Sequence, residues 1–109
     1  MITDIKSRSL KETKDLAKSI KDGVRVEIVV GDISSKEFAQ SLGGIAISTF
    51  GRLDYAVNAA GISGVRGATG EIEFEEWKNT QQVNVDGVWS CMHGQLKVMM
   101  EQELMEGYR

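Results

Sequence analysis

The sequence contains no proline and only one cysteine, Cys91, in 109 residues. A single cysteine excludes an internal disulfide and any thiolate-cluster metal site, and it points to a reducing, cytoplasmic setting. Long apolar runs are missing too. The longest are three residues, as in Ile28-Val29-Val30, so neither a membrane span nor a signal peptide is expected. There is no Lys/Arg run: 13 basic residues face 16 acidic ones for a net charge of -3, which argues against nucleic acid or an anionic membrane as partner. His93 is the only histidine, and it has no second His or Cys at ligand spacing, so metal binding is not expected. Ser63 likewise has no histidine that would complete a nucleophilic triad.

What is present is the composition of one soluble globular domain over residues 1–109: 41% hydrophobic, 27% charged and twelve glycines. Met1-Ile2-Thr3-Asp4-Ile5 alternates apolar and polar residues and suits the tail of a strand. Ser9-Leu10-Lys11-Glu12 has capping-box spacing. Leu10, Thr13, Ala17 and Ile20 then share a helical face, with Gly23 as the stop. Val24–Val30 is rich in β-branched residues and reads as a buried strand. Ser34-Ser35-Lys36-Glu37 marks a second helix start, and Phe38, Leu42, Ile45 and Phe50 form that helix's core face. Its Gly43-Gly44 pair costs about 1 kcal/mol per glycine relative to alanine, so a bend or fray is expected there.

Leu53–Ala59 reads as a third strand and Gly61–Gly70 as a flexible loop with glycine at every third position. A long helix is expected from Phe74 to Leu104, opened by Glu71, Glu73, Glu75 and Glu76 at the positive end of its dipole. Val83, Val85, Val88, Trp89, Met92, Leu96, Met99 and Met100 spread over more than one of its faces, the pattern of a helix buried on two sides. Packing is the plainer reading of Trp77, Trp89, Met99, Met100 and Cys91, and Glu101, Glu103 and Glu106 read as a solvated face. Met105-Glu106-Gly107-Tyr108-Arg109 closes this stretch with a glycine stop, as though another element should follow. Strands alternating with helices give parallel pairing through crossovers, hence a doubly wound, three-layer α/β/α sheet.

In such sheets ligands sit beyond the carboxyl ends of the strands. Here those ends carry Asp4, Asp32 and Asn58-Ala59-Ala60-Gly61. An aspartate there can accept from a ribose diol, and its charge repels a 2′-phosphate. Asp32 can accept from an adenine amino group while Ile33 covers the ring. Small residues let a ligand approach the backbone. Each of these residues also has a plain structural role open to it, as a turn former or a helix cap.

Four stretches in order then resemble one family. Asn58-Ala59-Ala60-Gly61 after Leu53-Asp54-Tyr55-Ala56-Val57 is similar to the Asn-Asn-Ala-Gly element of the short-chain dehydrogenase/reductase (SDR) family, with Ala at the second position. Glu75-Glu76-Trp77 with Val83-Asn84-Val85-Asp86-Gly87-Val88 resembles its fourth helix. Gly31-Asp32-Ile33 resembles its adenine-binding element, and Ile2-Thr3-Asp4-Ile5 the end of the second strand in its NAD-preferring members.

The resemblance implies a partial Rossmann-type domain and hydride transfer between NAD, less readily NADP, and a small alcohol or carbonyl substrate. It implies that Asp4 binds the adenosine ribose, that Asp32 and Ile33 hold adenine, and that Asn58, Ala60 and Gly61 line the cofactor. Asn84 matches the catalytic asparagine, whose main chain, at a kink in the helix, holds a water in a proton relay. The long helix over 74–104 would meet a partner subunit, which leaves a non-catalytic interaction module as the alternative function.

Other parts of the family pattern are missing. No two glycines are separated by one residue, so there is no Gly-x-Gly to cradle a diphosphate. No Tyr-x-x-x-Lys occurs: Tyr55 is followed four residues later by Ala59, and Tyr108 is one residue from the end. Without that proton donor the chain alone is expected to be inactive. Strand 1 and strands 5 onward of the family sheet are likewise missing. The expectation is therefore a marginal fold with unpaired strand edges, or one in which Val24–Val30 and Leu53–Ala59 pair directly. Each buried unpaired backbone group costs about 1–3 kcal/mol.

Overall fold

Ile2, Thr3 and Asp4 pair in parallel with Ile28, Val29 and Val30, and this two-stranded ladder is the only sheet among the described residues. The structure, a computed structural model, describes residues 1–103. The expected helix end at Leu104, the solvated Glu106, the Gly107 stop and Tyr108 lie outside the described residues. The chain falls into two compact units, Met1–Asp32 and Ile33–Arg109.

The first unit is a β-α-β element of β1 (Ile2–Asp4), α1 (Ser7–Ile20) and β2 (Ile28–Val30). Two further bonds, Ile2 N to Glu27 O at 2.9 Å and Gly31 N to Asp4 O at 3.1 Å, extend the ladder. The strand expected over Val24–Val30 is thus a ladder only as long as β1. The Ser9–Glu12 capping box does not form. The Asp4 carboxylate accepts from Lys6 N at 2.8 Å, which turns the chain early, and the helix begins at Ser7 with Lys6 as its cap. Ser9 is therefore already helical, its carbonyl takes the Thr13 hydroxyl, and Glu12 pairs instead with Arg8. Of the expected apolar face, Leu10 is buried at 4% exposure whereas Ile20 is 78% exposed.

The second unit is helical: α2 (Lys36–Phe50), α3 (Phe74–Gln81), a π-helical turn (Gln82–Gly87) and α4 (Val88–Glu101). The expected second cap is present one residue on, with the Ser35 hydroxyl accepting from Phe38 N. Glu73 N donates to the Glu76 carboxylate at the start of α3, so the acidic opening acts as a cap as well as a dipole partner. The expected bend at Gly43-Gly44 is absent: α2 runs unbroken to Gly51, which closes it at φ +85°.

The reason lies in packing. A side chain on Gly43 would come within 2.5 Å of the Gly94 carbonyl oxygen, and one on Gly94 would meet the Gln40 backbone. These glycines bring α2 and α4 into near backbone contact, and Ala39, Leu42, Ala46, Ser90 and Cys91 are buried around the seam. The long helix is one continuous path, but the π turn interrupts its α-helical register.

Leu53–Ala59 is a correction to the sequence reading. Among the described residues it joins no ladder, and Tyr55 and Val57 are exposed. Direct pairing with Val24–Val30 is also not realised. A strand is defined by the neighbour that takes its N–H and C=O groups. Here the Leu53 N–H and C=O are taken by the side chain of Gln102, the C-cap of α4.

Candidate functional site

Three side-chain amides on the long helix and its end face Leu53–Ile62, and each makes a reciprocal pair of hydrogen bonds. Gln102 Nε2 donates to Leu53 O at 2.7 Å, while Leu53 N donates to Gln102 Oε1 at 3.0 Å. Asn58 Nδ2 donates to Gln95 Oε1 at 2.9 Å, and Gln95 Nε2 returns a bond to Asn58 Oδ1 at 3.0 Å. Asn84 Nδ2 donates to Ile62 O and Ile62 N donates to Asn84 Oδ1, both at 2.8 Å. A primary amide carries donor and acceptor side by side, so it can satisfy a peptide unit as a strand neighbour would.

The chain direction of Leu53–Ile62 is opposite to that of the helix, and the lengths agree. The helix rises about 27 Å from Asn84 to Gln102, and nine residues of extended chain cover about 30 Å. An extended segment of this length would match the span of its three ties.

The second unit brings together several of the residues singled out by the sequence. Asn84 sits inside the π turn, a local register change that frequently marks functional sites. Its side chain is committed to Ile62, beside Gly61, where an added Cβ would lie 3.3 Å from Asn84 Oδ1. Asn58, Ala60 and Gly61 are exposed along the extended strip. Ile33 behaves differently. It is 8% exposed, and its carbonyl oxygen and Cγ1 lie 2.8 and 3.0 Å from where a Gly87 side chain would begin. Gly87 thus lets the Ile33 backbone press against the π turn.

In the first unit Asp4 ends β1 and Asp32 lies two residues past β2, at the carboxyl edge where this type of sheet presents ligand groups. Asp4 uses one carboxylate oxygen to hold Lys6 N, and Gly31 N is bonded to its carbonyl.

Three further features belong to the second unit. Arg52 grips Asp54 through three contacts of 2.6–3.0 Å, and this bond holds the Asp54 carboxyl below its ordinary value and raises Arg52. Burial pushes the Cys91 thiol up, which keeps it protonated and unreactive. On the outer side of α4, Trp89, Met92, Leu96 and Met100 are exposed, and Trp89 stacks on His93 with ring centres 5.0 Å apart. Among the described residues no cluster of His, Cys, Asp or Glu could hold a metal ion, and no helix is long and apolar enough to cross a membrane.

Sequence reasoning misses Gln95, Gln102 and the glycine seam. The signal is present in the spacing: positions 84, 95 and 102 are separated by eleven and seven residues, intervals that return to one helix face. The local cost of a glycine within a helix says nothing about what its missing side chain admits.

Comparison with known proteins bears on the family and the fold. The family described as enoyl-(acyl carrier protein) reductase matches residues 1–107. Glucose 1-dehydrogenase 2 of Bacillus subtilis is 32% identical over 93 residues, covering 85% of this chain and 35% of that protein. Chanoclavine-I dehydrogenase of Arthroderma benhamiae is 33% identical over 105 residues, 92% of this chain and 43% of that one. The chain therefore spans less than half the length of these curated relatives.

Among solved structures, levodione reductase superposes with a TM-score of 0.87 at 27% identity, covering 92% of this chain and 39% of that one. A short-chain dehydrogenase from Mycobacterium smegmatis gives 0.82 at 31% identity, with 94% and 41% covered. The small parallel sheet and its helices are thus part of a Rossmann-type α/β fold, and the chain belongs to the short-chain dehydrogenase/reductase family.

Proposed function

We propose that this chain supplies one section of an NAD(P)-dependent oxidoreductase that moves hydride between the nicotinamide and a small alcohol or carbonyl compound in a cytoplasmic setting, as part of one Rossmann-type domain. The observation that carries this reading is the π turn bearing Asn84, whose side chain is tied to Ile62 beside the exposed strip Asn58-Ala59-Ala60-Gly61. Because the side chain is occupied, what Asn84 offers a proton relay is its main chain. Asn58, Ala60 and Gly61 offer the cofactor backbone groups with little side-chain bulk in the way.

Asp4 is assigned to the adenosine ribose, and Asp32 with Ile33 to adenine. Ile33 is buried close against Gly87. In this reading these residues serve the adenosine and nicotinamide portions of the cofactor. For the diphosphate the sequence has no Gly-x-Gly, and it has no Tyr-x-x-x-Lys to donate a proton. The 109 residues alone therefore give no turnover.

A solved neighbour was determined with NADPH bound, so the choice between cofactors is assigned in this chain to Asp4, whose carboxylate disfavours a 2′-phosphate. The test is titration of the purified, isotope-labelled chain with NAD⁺ and NADP⁺, together with an assay for NADH oxidation against a carbonyl panel. NAD⁺ should shift the amides of Asn58–Gly61 and Asp4 more than NADP⁺ does, Asp4→Ala should erase the difference, and no carbonyl should be reduced. Silence of those amides towards both nucleotides sinks the cofactor assignment, and measurable reduction sinks the statement of inactivity.

A second reading rests on the exposed Trp89, Met92, Leu96 and Met100 of α4. In it the chain is a non-catalytic module that binds a subunit of the same family, including a second copy of itself. Co-purification with such a subunit, abolished by Trp89→Asp, would favour it.

A further inference from the structure

We propose that Gly87 is a positioning residue: its missing side chain lets the Ile33 backbone seat against the end of the π turn, which fixes how far Ile33 stands from the Asn84–Ile62 tie. The consequence for the cofactor rests on the function proposed above, in which Ile33 serves adenine and the Asn58–Gly61 strip serves the nicotinamide portion.

The backbone of Gly87 does not itself call for glycine. Its φ of −64° and ψ of −47° are ordinary helical values open to any residue. The contact is what calls for it. A Cβ at this position would lie 2.8 Å from Ile33 O, 3.0 Å from Ile33 Cγ1 and 3.1 Å from Ile33 C. Two of these three atoms are main chain, so no change of rotamer at Ile33 makes room. Only a shift of the backbone does.

The π turn also reaches a second stretch of chain. At its first residue, Gln82 Nε2 donates to Ser34 O at 3.4 Å, and at its last, Gly87 meets Ile33. Between them Asn84 holds Ile62 in both directions at 2.8 Å. Six consecutive residues, Gln82–Gly87, therefore set the spacing between Ile33-Ser34 and Ile62. A ligand that must engage both stretches at once is sensitive to that spacing, whereas one that engages a single stretch is not.

The experiment titrates the 109-residue chain with NAD⁺ and with 5′-AMP and follows the amide and methyl resonances of Ile33. Gly87→Ala should move the Ile33 resonances and leave the Asn84 side-chain NH₂ signals in place. It should weaken NAD⁺ roughly tenfold more than it weakens AMP, because the two halves of the dinucleotide are no longer engaged together. Gly94→Ala is the control. Its methyl group meets the Gln40 backbone, so it should lower stability while the Ile33 signals of the folded chain and the NAD⁺-to-AMP affinity ratio stay as they were. A purely structural role for Gly87 would reproduce the Gly94→Ala pattern and overturn the proposal.

A second pair of variants guards against a misfolded Gly87→Ala. Gln82→Leu removes the bond to Ser34 O without placing a group against Ile33, and it should lower the affinity ratio about threefold, the scale of one hydrogen bond. An unchanged ratio there overturns the proposal whether or not Gly87→Ala folds. Ile33→Ala added to Gly87→Ala takes away Cγ1 but leaves the carbonyl oxygen, so the Ser34 amide should stay displaced; its return to the native position would show a side-chain contact only and also overturn the proposal. Failure of the native chain to respond to either nucleotide counts against the function proposed above, and the Ile33 resonances in Gly87→Ala then decide the role of Gly87 by themselves.

Discussion

The α2–α4 seam and the Leu53–Ile62 strip touch the same helix by opposite means. The seam has almost no side chains: Gly43 faces the Gly94 carbonyl, and Gly94 faces the Gln40 backbone. Its strength comes from close contact and the burial of Ala39, Leu42, Ala46 and Cys91. The strip buries little, with Val57 at 89% exposure, and three pairs of amide hydrogen bonds tie it to the helix. A seam of this kind tolerates no added atom, whereas a strip of this kind tolerates bulk but not the loss of a donor or acceptor. One helix can thus be a rigid wall on one side and a hydrogen-bonding template on the other.

The largest expected effect breaks the seam. Gly94→Ala places a methyl group against the Gln40 backbone and should destabilise the second unit by roughly 1–3 kcal/mol, read as a lower midpoint in denaturant at unchanged slope. A smaller effect of opposite sign sharpens the comparison. A methyl group added at Gly44 would meet nothing within 4 Å, so Gly44→Ala should stabilise α2 by about 0.5–1 kcal/mol, while Gly43→Ala next to it destabilises. If both substitutions act alike, the glycines matter through helix propensity and not through contact.

The smallest effect lies at the start of the strip. The hydrogen bond from Arg52 holds the Asp54 carboxyl below its ordinary value of 3.8. A carboxyl depressed in the folded state contributes stability that is present above the unfolded value and lost as pH falls through the folded one. Asp54→Asn should therefore lower the melting temperature slightly at neutral pH. The difference should vanish in strong acid and shrink with added salt, because the pair is partly exposed.

Much of the order of elements is legible in the sequence because it rests on local chemistry. Ser35 caps α2, the Glu73–Glu76 opening caps α3, and β-branched Ile28–Val30 forms a strand, each for reasons contained within a few neighbouring residues. Leu53–Ala59 reads as a ladder strand, yet its pattern of residues specifies an extended shape and not a partner. Ser9–Glu12 reads as a cap, yet Asp4, by holding Lys6 N, has already started the helix. At the candidate site, Asn84 and Asn58–Gly61 can be picked out by motif. Gln95 cannot, since its importance exists only once residues 37 apart in sequence are side by side.

The sequence by itself determined the alternation of strands and helices, the exclusion of a disulfide within these 109 residues and the family to which the motifs belong. These follow from periodicity, composition and short-range spacing. The tertiary structure alone decided that a glycine pair would be a packing seam and not a bend, that the helix would shift register around Asn84, and that an expected strand would lean on helix amides. Those outcomes depend on which distant groups meet. A hydrogen bond or a van der Waals contact has no energy until its partner is within about 4 Å.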